Sequence, residues 1–209
     1  MHGMNEQSRP RRSASQTRDE LIAAAATLLL DRGAESKVSV DDVVSAVGVT
    51  PPMLYRHFAD KQALFAEVHA RRMLDFQTAL QAAASGETDP VRRLEARGRQ
   101  YVRYAIENPD SYRAVFMALD NLGGEVFAGG GHEADSAYSD LVADVRTCIA
   151  TGRFDDRDPE LMARVIWSSV HGLSSMLIAM PTMIEPFSAD DVIEASVTAI
   201  TRGFARSSR

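Results

Sequence analysis

The stretch SVDDVVSAVGVTPPMLYRHFADK, Ser39 to Lys61, decides the fold. Ser39 suits a helix N-cap, and Asp42 three residues on completes an S-x-x-D capping box. Val40, Val43, Val44 and Val47 recur at helical spacing and make one apolar face. Gly48 stands where the end of a helix needs a positive φ. Thr50 is a second N-cap, and Pro51 follows at the first helical position, where a missing N–H costs nothing. Met53, Leu54 and Phe58 then turn inward. Two short helices joined by a glycine-containing turn within about twenty residues are a helix-turn-helix.

Towards the N-terminus, Thr17 to Arg32 reads as a supporting helix. Thr17 caps it with Glu20 as the box partner; Leu21, Ile22, Ala25, Leu28 and Leu29 form its stripe, and Gly33 ends it. Residues 1–16 are polar, Ser-rich and basic, with Arg9, Arg11 and Arg12 around Pro10. They read either as a disordered tail or as an arm that reaches phosphates or a minor groove.

Towards the C-terminus, Asp60 and Lys61 begin a longer helix to about Ala84, with Leu64, Phe65, Val68, Met73, Phe76 and Leu80 inward. Pro90 opens a helix to about Glu107, whose Arg92, Arg93, Arg97, Arg99 and Arg103 read as a solvated face. Asn108-Pro109 starts a short helix carrying Tyr112, Val115, Phe116 and Met117. The Gly-rich residues 120–134 read as a loop; GGG without a preceding strand or a GxGxxG pattern is no phosphate cradle. A helix from Ala137 to about Thr151 ends at Gly152. Asp158-Pro159 starts the most apolar helix, to about Met180, with no Asp, Glu, Lys or Arg from Val165 to Ile184. Its length would suit a membrane span, but four serines, His171, Gly172 and Pro181 favour a helix buried in a protein core. Ser188 and Asp190-Asp191 open the last helix, to about Phe204. The reading is all-α: a flexible basic arm at 1–14, a three-helix helix-turn-helix domain at 15–62, and a helical bundle at 63–209.

Composition agrees with this. Hydrophobic residues at 45% and charged residues at 25% are ordinary for a soluble globular chain, and alternating β-branched runs are rare. The single Cys148 excludes an internal disulfide framework, and the polar N-terminus shows no apolar signal segment, so a cytoplasmic protein is expected. The net charge of -6 rules out a protein basic throughout. It is uneven, however: residues 1–62 hold eight Lys/Arg against eight Asp/Glu, and the rest carries the whole deficit. Nucleic-acid binding would rest on where charges stand, not on their total.

The run GVTPPMLYRHFADKQALF resembles the DNA-binding region of the TetR family of bacterial transcriptional repressors. Gly48, Val49, Thr50, Leu54, Tyr55, His57, Phe58 and Lys61 match that pattern in order and spacing. Val44 and Val47 stand where the family usually has alanines, and Pro52 where glycine is common. The resemblance implies that 15–62 is a DNA-binding domain and 63–209 a ligand-binding and dimerisation domain. It also implies that Ser39, Thr50, Tyr55, His57 and Lys61 touch the DNA backbone, while Pro51, Pro52, Met53 and Arg56 lie nearest the bases. The residue types suit this work. Thr50 and the N–H groups at the start of the second helix can meet a phosphate, Tyr55 and His57 offer donors, and Lys61 adds a charge. Tyr55 is read as outward because Leu54 and Phe58 already fill the inward i, i+4 positions.

Trp167, His171 and Gly172 form W-x-x-x-H-G, which resembles the C-terminal domain of one subgroup of the family. His171 is then either a satisfied core histidine or a polar anchor in an apolar cavity. Tyr101, Tyr104, Phe116, Met117, Trp167, His171 and Met176 are the candidate ligand-binding residues.

No catalytic set is convincing. His57 and His171 lie in unrelated helices, His132-Glu133 lacks the H-E-x-x-H partner, and no serine sits in a G-x-S-x-G elbow. No cofactor and no metal are expected. The expected function is a homodimeric repressor that binds a palindromic double-stranded operator and is released by a small hydrophobic or aromatic effector, with no membrane partner. The last two helices are the expected dimer face, with Val197 and Ile200 between subunits. The alternatives are a helical-bundle enzyme, an activator, or a regulator without a small-molecule ligand.

Overall fold

The computed structural model describes residues 13–116 and 132–206. Among these residues nine α-helices form and no strand: α1 (Ala14–Arg32), α2 (Val40–Val47), α3 (Pro51–Tyr55), α4 (Lys61–Ala84), α5 (Pro90–Glu107), α6 (Pro109–Phe116), α7 (His132–Ala150), α8 (Pro159–Ala179) and α9 (Ala189–Phe204). The chain divides into two compact units, one ending at His69 and the other starting at Ala70, and α4 contributes to both. The basic arm with Arg9, Arg11 and Arg12, the glycines of 120–131 and Met117 lie outside the described residues.

In the first unit, α1 starts earlier than Thr17. Ser13 has the extended backbone of an N-cap, its hydroxyl accepts from the Gln16 N–H, and the Gln16 side chain accepts from the Ser13 N–H. Thr17 instead donates its hydroxyl to the Ser13 carbonyl. The capping box is therefore Ser13 with Gln16, because a threonine inside the first turn cannot cap the groups that precede it. Gly33, at φ 74, closes the helix by donating its N–H to the Leu29 carbonyl at 2.9 Å. Leu21, Ile22, Ala25 and Leu29 are buried, as are Val43 and Val44 of α2, Leu54 of α3, and Phe58. Each such large side chain contributes about 1.5–3 kcal/mol when fully buried. The Ser39–Asp42 box caps α2 as expected, and Gly48 at φ 76 ends it. Asp42 does double work: both its oxygens also take Arg32 nitrogens, at 2.6 and 2.8 Å.

In the second unit, α5 packs against α6, α7, α8 and α9. Its arginines are only in part a solvated face: Arg92 and Arg103 are exposed, while Arg93, Arg97 and Arg99 are half-buried. Arg93 and Arg97 both grip the buried Asp144 of α7, Arg99 pairs with Glu194 of α9 and Glu95, and Arg103 pairs with Asp190. Arginine stems lie along the helix and carry their charged heads to acids on neighbouring helices, which sequence periodicity alone does not reveal. Gly98 lets α5 approach α9 closely: a Cβ there would stand 3.3 Å from Val197 Cγ2.

Two expectations change here. Helix α7 begins at His132, so residues 132–134 are helical, not loop. Helix α8 is only one-sided as a core helix. Met162, Ala163, Ile166, Val170, Ser174 and Leu177 point inward, while Leu161, Val165 and Met176 are 59%, 44% and 40% exposed. It is long and apolar enough to cross a membrane, but that inner face packs on the protein's own core. Val197 is buried within the chain's own core, so it is not left for a subunit contact, while Ile200 packs against that core and stays half-buried.

Candidate nucleic-acid interface and cavity

Helix α3 is a single short turn. Leu54 and Phe58 anchor it inside, which leaves Pro52, Tyr55 and Arg56 exposed along one face, with Tyr55 53% exposed. Met53, Pro51 and His57 are half-buried beside them. Arg56 takes the C-cap position with helical backbone, so its guanidinium leaves from the same face as Pro52, four residues earlier.

The start of α3 differs from expectation in one respect. Pro51 and Pro52 carry no N–H, and the Met53 N–H already bonds the Thr50 carbonyl at 2.9 Å. The helix start therefore offers few backbone donors to a phosphate. Thr50 has extended N-cap backbone, but its hydroxyl makes no cap bond, so it remains for an external acceptor. Ser39 is committed to Asp42. Lys61 donates from Nζ to the Glu35 carbonyl at 2.7 Å and lies over the Phe65 ring at 5.8 Å. Its charge stands at the head's surface while one of its three protons holds the 3-10 turn Glu35–Lys37.

The second unit holds a cavity of about 240 Å³. Met73, Phe76, Leu80, Leu94, Phe116 and Trp167 make most of its wall apolar. Arg97, Tyr101, Tyr138 and Arg164 add polar atoms. Of the residues singled out from sequence, Tyr101, Phe116 and Trp167 share this wall. Tyr104 stands edge-on to Phe76, with ring centroids 5.2 Å apart. Met176 is on the exposed face of α8. His171 is absent from the wall: its Nδ1 lies 2.6 Å from the Tyr112 hydroxyl and 3.2 Å from that of Tyr101, and Trp167 stacks on its ring at 5.1 Å. His171 is half-buried and its Nδ1 is engaged by Tyr112 behind the wall, with Trp167 between its ring system and the cavity lining.

Burial, then the neighbouring Tyr112, pushes the Tyr101 phenol well up, and burial raises Tyr112 too; both keep their protons. Burial lowers His171, which favours the neutral ring. In the neutral ring Nδ1 pairs with the Tyr112 hydroxyl, as donor or acceptor according to the tautomer. Burial, followed by Asp144, pushes the Cys148 thiol up to about 12, so it is no nucleophile. Among the described residues no group of three His, Cys, Asp or Glu could hold a metal.

Sequence reasoning missed Arg97, Arg164 and Tyr112. Arg164 had a usable signal: with Trp167 and His171 it occupies positions i, i+3 and i+7, one flank of α8. Tyr112 had none, because its partner lies on another helix.

Residues 21–68 match the family model described as bacterial regulatory proteins, tetR family. Residues 94–200, more than half the chain, match that of the tetracyclin repressor-like C-terminal domain. The chain is 28% identical over 99 residues to the HTH-type transcriptional activator FasR of Mycolicibacterium smegmatis, a match spanning 47% of this chain and 45% of that protein. It is 25% identical over 195 residues to an uncharacterised HTH-type transcriptional regulator of Mycobacterium tuberculosis, covering 93% of this chain and 84% of that one. A solved structure of a protein of unknown function from Rhodococcus sp. RHA1 shares the fold at TM-score 0.77 and 24% identity, over 96% of this chain and all of that one.

Proposed function

The chain belongs to the TetR family of bacterial transcriptional regulators, and from that premise we propose that it is a homodimeric repressor, released from a palindromic operator by a small, largely apolar ligand. Residues 15–62 are the DNA-binding head and the remainder is the regulatory and dimerisation body. It acts in the cytoplasm, where its DNA is, and it binds rather than catalyses.

The observation that carries this reading is the outward face of α3, where Pro52, Tyr55 and Arg56 stand exposed on a turn held from behind by Leu54 and Phe58. A turn of that size reaches few base pairs. Two copies related by a two-fold axis would read a palindrome with enough contacts for specificity. The surface for that pairing is the outer side of α8, where Leu161, Val165 and Met176 leave apolar area uncovered, with exposed Ala195 and Ala199 on α9. The cavity supports the ligand part. Ligand and operator then compete through the shape of the dimer. A coupling of roughly 1–3 kcal/mol weakens DNA binding about 5- to 150-fold, and by reciprocity DNA weakens ligand binding by the same factor.

A second reading, activation, is favoured by the activator FasR among the relatives. A salt-dependent gel shift on the region upstream of the gene, followed by transcription from that promoter in vitro, tests both. Falling transcript with added protein supports repression, rising transcript supports activation, and absence of any shift removes the operator from this region.

A further inference from the structure

We propose that the cavity of the second unit takes a small amphipathic carboxylate, its apolar body among Phe76, Phe116 and Trp167 and its acid group at Arg164 and Arg97. This rests on the reading of the cavity as a ligand site and goes further by naming the ligand's charge and size.

An arginine that lines an apolar cavity sets a fixed positive charge beside it, because a guanidinium keeps its charge at every physiological pH. Two contribute here. Arg97 spends Nε on Asp144 and Nη1 on Asp140, and its Nη2 makes no hydrogen bond among the described residues. Arg164 makes no ion pair with a described carboxylate, whereas Arg93, Arg97, Arg99 and Arg103 of α5 all do. It is exposed and donates a hydrogen bond to the hydroxyl of Tyr138, a partner without charge. Tyr138 is on the same wall and donates to Glu160, so it does not neutralise Arg164.

Among the described ion pairs of this end, Arg93 and Arg97 meet Asp144 and Asp140, and Arg146 meets Glu160, while Arg164 has no carboxylate partner. An anionic head group would complete the set with charge-assisted bonds to a fork already shaped for a carboxylate. Size follows from the volume. A dry cavity of about 150 Å³ takes a benzene ring, so about 240 Å³ holds on the order of ten non-hydrogen atoms. That is the scale of an aryl or medium-chain acid.

The single tryptophan of the chain, Trp167, lines the cavity and reports on it directly. The full chain is titrated with octanoate and 3-phenylpropionate, and with octanamide and 3-phenylpropionamide as neutral isosteres, following Trp167 fluorescence. At least one acid should bind about tenfold or more tightly than its amide, the scale of a charge-assisted pair. Arg164→Gln should remove that preference and leave amide affinity unchanged, its fold checked by an unaltered thermal midpoint. The two acids separate a ring from a chain as the apolar body. Equal affinity of acids and amides, or an acid preference that survives Arg164→Gln, overturns the carboxylate proposal while the cavity remains a ligand site. Absence of binding by all four compounds overturns the proposal together with the reading of the cavity for ligands of this size.

Discussion

Tyr112 and His171 meet at 2.6 Å, hydroxyl to Nδ1, although they come from α6 and α8 and are 59 residues apart. The bond ties the imidazole of α8 to α6, and Trp167, stacked on the same ring, lines the cavity. Burial lowers the His171 pKa in the folded state from its ordinary value near 6.5. Below that value the unfolded chain gains a proton that the folded chain resists. The stability tied to neutral His171 is therefore complete above about pH 6.5 and declines as pH falls towards the folded-state pKa. The thermal midpoint of the wild type should drop between pH 7 and pH 5.5 by more than that of His171→Gln. Tyr112→Phe should cost about 1 kcal/mol at pH 7 by urea unfolding. Equal pH dependence of wild type and His171→Gln would remove this histidine from the balance.

Asp144 is the common partner of Arg93 and Arg97. Replacing it by alanine leaves two partly buried guanidinium groups without their acid, which should destabilise the second unit by about 3 kcal/mol. Denaturant unfolding measures this directly. A loss under 1 kcal/mol would show that Asp140 takes over the pairing.

Tyr55 is exposed and its hydroxyl touches nothing described, so Tyr55→Phe should leave stability alone. Operator binding should weaken by on the order of 1 kcal/mol, the worth of one hydrogen bond. Lys61→Ala is expected to behave differently. It removes both a charge near the phosphates and the bond to the Glu35 carbonyl. The slope of log affinity against log salt should fall by about 0.9, and the head should also lose about 1 kcal/mol of stability. Binding measured at four salt concentrations separates the two effects. An unchanged slope would make Lys61 a structural residue only.

Val165 and Ile200 should separate assembly from folding. Val165 is exposed on α8, so Val165→Glu should leave the monomer fold intact and dissociate the dimer, since the charge would be desolvated between subunits. Ile200 packs within the chain, so Ile200→Glu should lower the thermal midpoint before it changes assembly. Sedimentation velocity beside thermal melts tests the pair. A Val165→Glu dimer of unchanged affinity would take that face out of the interface.

The sequence by itself determined the local events: the Ser39–Asp42 and Ser188–Asp191 capping boxes, the αL glycines at 33, 48 and 152, and the inward Leu54 and Phe58 that turn Tyr55 outward. These depend on residues within about one turn of each other, where spacing alone fixes which atoms can meet. Only the tertiary structure decided the rest. It took Arg93 and Arg97 from the surface to Asp144, His171 from the cavity wall to Tyr112, Val197 from a subunit contact to the gap beside Gly98, and brought Arg164 to the cavity. Each of those outcomes joins helices far apart in the chain, and side-chain periodicity says which face of a helix is apolar but not which helix will cover it.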